Sequence, residues 1–155
     1  MCGYVTFEGA YAEPSSLSAV LPAFAPETLL GSFAAAGDDH QGVFYARPGG
    51  TAPSALSEAI PAVTLRVDDF RNLHVPADAG LSVTDVVRDG ETAAFTVTAE
   101  KFAHAVHFGL PAEKVFSDQY FDLLPGESRR IVLENAGEMT YTDIKAYAIG
   151  TPTFE

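Results

Sequence analysis

From Pro61 onward the chain is a run of short alternating segments cut apart by turn formers, and few architectures accommodate such a pattern. The candidate strands are Ala62–Val67, Leu81–Val87, Ala93–Ala99, Ala105–Leu110, Tyr120–Leu123, Arg129–Leu133 and Asp143–Ile149. Asp89-Gly90, Pro111, Pro125-Gly126 and Asn135-Ala136-Gly137 separate them. Phe95, Val97 and Ala99 alternate with Thr96 and Thr98, the period of two expected of a strand with one buried face. Short strands at this spacing bury their apolar faces most readily by stacking two antiparallel sheets.

Phe116 to Leu133 shows the pattern at its clearest. Pro125-Gly126 suits the centre of a type II turn, since proline presets φ at the first central position and glycine accepts φ > 0 at the second. Phe121 and Leu123 share one pleat face, with Tyr120 and Asp122 on the other. Beyond the turn, Ile131 and Leu133 alternate with Arg130 and Val132. The segment reads as one hairpin-like unit. With about seven strands, the fold class is an all-β, immunoglobulin-like antiparallel β-sandwich without the Cys–Trp–Cys trio of antibody domains. Residues 1–60 read as a less regular, partly helical N-terminal segment, and residues 61–155 as the sandwich. Within the first part, Tyr4–Phe7 and Val43–Ala46 are strand candidates. Ser15–Val20, the stretch after Pro26-Glu27 and Ser54–Ala59 are short helix candidates.

The 155 residues suit one domain, or one domain with an appendage, and 47% hydrophobic content supplies a core. A formal net charge of -12 argues against nucleic acid and anionic membrane surfaces as partners, because like charges repel and no basic cluster is present. A single cysteine, Cys2, excludes an intrachain disulfide. The first residues lack a basic and then apolar leader pattern, and no stretch reaches the roughly 20 apolar residues of a membrane span. The expectation is a cytoplasmic location.

The residue types that carry chemistry are sparse. His104 and His107 are three apart; on a regular strand they point to opposite faces, so they do not converge on a metal. His40 and His74 fall in loops. Asp38-Asp39, Asp68-Asp69 and the pair Asp118 and Asp122 match no cation-binding loop, and together with Glu127 they read as turn-bracing or solvated acids. Cys2 would become an N-terminal nucleophile if Met1 were removed. Met1-Cys2-Gly3-Tyr4-Val5 is similar to the opening of class II glutamine amidotransferases. Their Asn-Gly-Asp/Glu loop has no counterpart here, since Asn72 and Asn135 are followed by Leu73 and Ala136. There is no phosphate-cradling glycine loop and no Gly-x-Ser-x-Gly elbow. No catalytic, metal or cofactor residues are expected.

Two phrases carry a stronger resemblance. Phe95 to His107 (Phe-Thr-Val-Thr-Ala-Glu-Lys-Phe-Ala-His-Ala-Val-His) and Val115 to Glu127 (Val-Phe-Ser-Asp-Gln-Tyr-Phe-Asp-Leu-Leu-Pro-Gly-Glu) resemble the C-terminal immunoglobulin-like domain of β-mannosidases of glycoside hydrolase family 2. In that family a phrase like Phe-Ser-Asp-Asn-Phe-Phe-Asp-Leu-Leu-Pro-Gly-Glu recurs near the chain end; Gln119 and Tyr120 are mild departures. The resemblance runs roughly from Val63 to Ile149. It implies an accessory, structural domain that is not an enzyme by itself. The family's catalytic unit is a (β/α)₈ barrel of about 250 residues with a glutamate in an Asn-Glu dipeptide, which does not occur here. The implied partner is the catalytic region of a glycosidase, in the same or a separate chain. The alternative is a stand-alone carbohydrate-binding module, in which exposed aromatic rings stack on sugar. With no Trp in the chain, Tyr45, Tyr120, Tyr141 and Tyr147 are the candidate sugar contacts.

Overall fold

The computed structural model describes residues 2–11, 41–47, 61–66, 69–109, 114–137 and 144–150. The helix candidates before residue 61 and Tyr141 lie outside these residues. The described strands are β1 (Cys2–Thr6), β2 (Gly42–Ala46), β3 (Val63–Leu65), β4 (Leu81–Asp89), β5 (Thr92–Ala99), β6 (Ala103–Phe108), β7 (Val115–Phe116), β8 (Phe121–Leu123), β9 (Ser128–Glu134) and β10 (Ala146–Tyr147). They form three antiparallel sheets in the orders β1-β2-β3, β10-β6-β8 and β4-β5-β9-β7.

The second and third of these sheets make the sandwich. β5 has a strictly alternating burial pattern, with Ala93, Phe95, Val97 and Ala99 turned inward. They meet Ala103, Val106 and Phe108 of β6, Phe121 and Leu123 of β8, and Ile131 and Leu133 of β9 in one apolar cluster. The rings of Phe95 and Phe108 cross edge-to-face at 5.2 Å, a favoured aromatic geometry, so they tie the two sheets together at the centre. The threonines alternating with β5's apolar residues lie on its outer face, which is how a two-faced strand reads in sequence.

The hairpin reading of Phe116–Leu133 is corrected. β8 pairs with β6 and β9 pairs with β5, so the Pro125-Gly126 turn carries the chain from one sheet to the other. The turn itself is as the residues dictate: Glu127 N–H donates to Leu124 O at 2.9 Å and Gly126 has φ +75. What makes it a corner is its attachment to β5. Gly126 N–H donates to Ala99 O at 2.8 Å, and Ala99 N–H donates to Glu127 O at 3.1 Å. With those bonds made, Ser128 onward continues along β5, whereas Leu123 is held by Ala103 of β6. From β5 to β9 each strand lies in the opposite sheet from the one before it. Asp89 and Thr92 close the β4–β5 hairpin around Gly90, whose φ of +57 suits the first central position of a type II′ turn.

The β1-β2-β3 sheet has its own small core. Val5, Phe7, Val43 and Tyr45 pack with Leu73, Val75, Phe102 and Leu124. The last two residues belong to the sandwich's connections, so this sheet is seated on the end of the sandwich that holds the corner. Phe102 N–H donates to Phe7 O at 2.9 Å and Tyr11 Oη–H donates to Pro125 O at 2.7 Å. β3 pairs with β2 across the expected boundary at Pro61, because Phe44 to Ala46 supply the only ladder that Val63 to Leu65 join among the described residues.

The central ring should dominate stability. Phe95 is fully buried, so Phe95→Ala is expected to cost about 3–5 kcal/mol in urea unfolding. Val132→Ala on the outer face should stay within about 0.5 kcal/mol.

Candidate functional site

The outer face of β6 gathers most of the polar chemistry in the described residues. β6 reads Ala103-His104-Ala105-Val106-His107-Phe108, and its burial pattern places the two histidines outward and the other four inward. A regular strand cannot do this with residues three apart. A bulge can: the pairing slips between Ala103↔Leu123 and Val106↔Phe121, and Ala105 takes a left-handed φ of +51. His104 and His107 therefore share one face, which corrects the expectation that they point apart.

Asp122 of β8 locks this bulge. Its Oδ1 accepts Ala105 N–H at 3.1 Å and His104 Nδ1–H at 2.8 Å, and its Oδ2 accepts the Thr64 hydroxyl at 2.5 Å. The side chains of His104 and Asp122 are only 21% and 19% exposed, so Asp122 is not the solvated acid the sequence suggests. Burial alone would raise its pKa. The bonds from His104, Thr64 and the Ala105 N–H outweigh that and hold the carboxyl below its ordinary value of 3.8. Thr64 lies on β3, so Asp122 also fastens the β1-β2-β3 sheet to the sandwich. The other two acids near the corner brace it. Glu127 accepts Leu124 N–H at 3.0 Å, and Asp118 pairs with Arg129 at 2.7 Å while Arg129 caps the Phe121 ring at 4.2 Å.

The pair His104–Asp122 has the form of a base with its orienting carboxylate, but among the described residues no hydroxyl or thiol is hydrogen-bonded to the imidazole. Arg66 Nη1 points at His104 Nε2 at 3.5 Å, and Phe70 lies against the imidazole with ring centroids 5.0 Å apart. Nδ1 is thus held by Asp122, and the exposed Arg66 guanidinium lies at the edge of hydrogen-bond distance from Nε2. Beside Phe70, Thr64, Leu65, Arg66 and Asp69 line a shallow groove of about 370 Å³. Among the described residues, no three His, Cys, Asp or Glu side chains are gathered to hold a metal. His74 instead meets the Gln41 amide.

His107 occupies a different setting. Its Nδ1–H donates to Ala105 O at 3.0 Å, which turns Nε2 outward. Its ring is stacked between Tyr120, at 5.4 Å and 15°, and Tyr147, at 5.8 Å and 27°. Tyr147 is the cross-strand neighbour of His107, and Gly109 leaves its ring room: a Cβ there would lie 2.8 Å from Tyr147 Cε2. Tyr120 and Tyr147 are 67% and 46% exposed. Two of the four tyrosines singled out as sugar contacts thus stand in one row, with a histidine between them that the sequence did not suggest. Tyr45 does not join them. It is 4% exposed in the small core, where its ring meets Tyr11 edge-on, and it offers no face to a sugar. Cys2 lies in β1, its backbone paired with Ala46.

Residues 77–146 match the Ig_mannosidase family model, an Ig-fold domain. Over this segment the chain is similar to that Ig-fold domain, and its antiparallel sheets agree with the fold. The match lies within the region in which the sequence resembles the terminal domain of β-mannosidases, and it includes His104, His107, Tyr120 and Asp122. It leaves out β1, β2 and β3, and Tyr147 stands one residue beyond it. No curated protein matches the chain.

Asp122 sets a pH dependence. Its carboxyl holds its proton less tightly in the folded chain than in the unfolded one, so its stabilisation is complete above about pH 4 and is lost as pH falls through the lowered folded value. Asp122→Asn should cost about 1.5–3 kcal/mol near neutrality, as a charged hydrogen bond does. In urea titrations at successive pH values, the gap between wild type and variant should narrow below pH 4. A gap that stays constant down to pH 2 would show that ionisation of Asp122 is not what matters.

Proposed function

We propose that the chain acts as a non-catalytic accessory unit for a β-mannosidase-like glycoside hydrolase, with the Ig-fold domain covering part of the catalytic region or propping the loops around its sugar site. The observation that carries this reading is the Ig_mannosidase match over residues 77–146. The chemistry around His104 supports it. That imidazole faces Asp122 on one side and Arg66 on the other, as suits a group that fastens sheets together.

The test has two arms. Purified chain incubated with aryl β-mannosides should give no turnover. Added to a β-mannosidase catalytic region lacking its terminal domain, it should co-migrate in sedimentation and raise the melting temperature of that region. Turnover that follows the protein through purification contradicts the non-catalytic role, and failure to associate contradicts the accessory one.

A second reading, direct sugar binding, is favoured by one feature alone: the exposed ring row of Tyr120, His107 and Tyr147.

A further inference from the structure

Tyr120 is an exposed tyrosine held in a left-handed backbone conformation. Its φ is +59, in the left-handed region that costs an L-residue with a Cβ roughly 1–2 kcal/mol. The other non-glycine residues with positive φ have local explanations. Asp85 and Ala105 sit at the two bulges, and Asn135 is a residue type that tolerates this conformation. Tyr120 is the one large side chain among them, and burial does not compensate it, since two thirds of it is in solvent. The conformation is fixed from both sides. Tyr120 N–H donates to Val106 O at 2.7 Å, directly beside the β6 bulge, and the next residue, Phe121, enters the core. Strain retained at an exposed aromatic without burial in return is a reason to look for a binding role there.

We infer that Tyr120, His107 and Tyr147 form a binding platform for a neutral saccharide, with a pyranose ring laid on the outward face of Tyr120. The stack runs Tyr147, His107, Tyr120, so one ring face at the Tyr120 end has no aromatic neighbour among the described residues. A sugar's apolar C–H face would add one more layer to that stack. Along the edge of the stack stand three polar atoms without a partner among the described residues: Tyr120 Oη, His107 Nε2 and Tyr147 Oη. The Nδ1 bond to Ala105 O fixes the tautomer, so Nε2 accepts while the two phenols donate or accept. This is the mixture of apolar ring face and hydroxyl partners that a sugar presents. The charge of the chain argues against acidic glycans: the net charge is -12, and no Lys or Arg belongs to the row.

The test uses the full chain with mannohexaose and cellohexaose as probes. Calorimetry measures binding, and amide chemical shifts locate it. Tyrosine emission gives a third signal, unmasked because the chain has no Trp. Expected is saturable binding to at least one oligosaccharide, with shifts concentrated at residues 106–107, 119–121 and 146–148. Tyr120→Asn should weaken binding at least tenfold. Because Asn tolerates the left-handed backbone, its melting temperature should equal or exceed that of wild type, which separates lost binding from lost folding. Val132→Ser, on the outer face of the other sheet, should bind as wild type does. The inference is overturned if neither oligosaccharide binds at concentrations up to its solubility, or if Tyr120→Asn binds as well as wild type. It is also overturned if choline displaces the sugar at those residues with higher affinity, which would make the row a cation site. None of these failures touches the accessory role, which is read by turnover and association with a catalytic region.

Discussion

The hydrogen bonds between the Leu124–Glu127 turn and Ala99 decide the architecture. A Pro-Gly turn by itself permits a hairpin, in which the two flanking strands pair with each other. Here the backbone of Gly126 and Glu127 is claimed by the end of β5. β9 must then run along β5, and β8 is released to pair with β6 in the opposite sheet. The two sheets face each other across Phe95, Phe108, Leu123 and Ile131 as a consequence. The same corner gives the β1-β2-β3 sheet its seat, because Leu124 enters that sheet's core and Pro125 O accepts the Tyr11 hydroxyl.

Bringing β8 beside β6 has a chemical result. It places Asp122 against the Ala105 bulge, where one carboxylate satisfies a strand N–H and an imidazole of β6 and a threonine hydroxyl of β3. The bulge rotates His107 onto the face already occupied by His104, and it presents the Val106 carbonyl that holds Tyr120 in its left-handed conformation. One irregularity in one strand therefore produces both halves of the polar face: a closed structural cluster around His104 and an open aromatic row around His107.

Much of this was legible in the sequence. The alternation in Phe95 to Ala99 gave β5, Pro125-Gly126 gave the turn and its positive φ, and the phrase around Phe116–Glu127 gave the domain type. What escaped depended on partners distant in sequence. Turn chemistry is local and cannot say whether the flanking strands pair with each other or with β5 and β6. Asp122 looked solvated because Thr64, one of its partners, lies 58 residues earlier. β7 is two residues long, below the length at which a period of two can be recognised. The bulge did leave a trace: adjacent apolar Ala105 and Val106, flanked by His104 and His107, break the alternation once, as an extra inward residue requires. Arg129 is in phase with Ile131 and Leu133, a signal that points its stem inward, where it covers Phe121.

The most direct test of this account is the set of backbone Hα–Hα nuclear Overhauser contacts around the corner. Antiparallel partners bring such protons together, so Phe121 should contact the Ala105–Val106 region of β6, and Arg130 should contact Thr96 of β5. A backbone contact between Phe121 and Arg130 would instead make the segment a hairpin. It would remove the corner, and with it the placement of Asp122 and Tyr120 on which the functional reading rests.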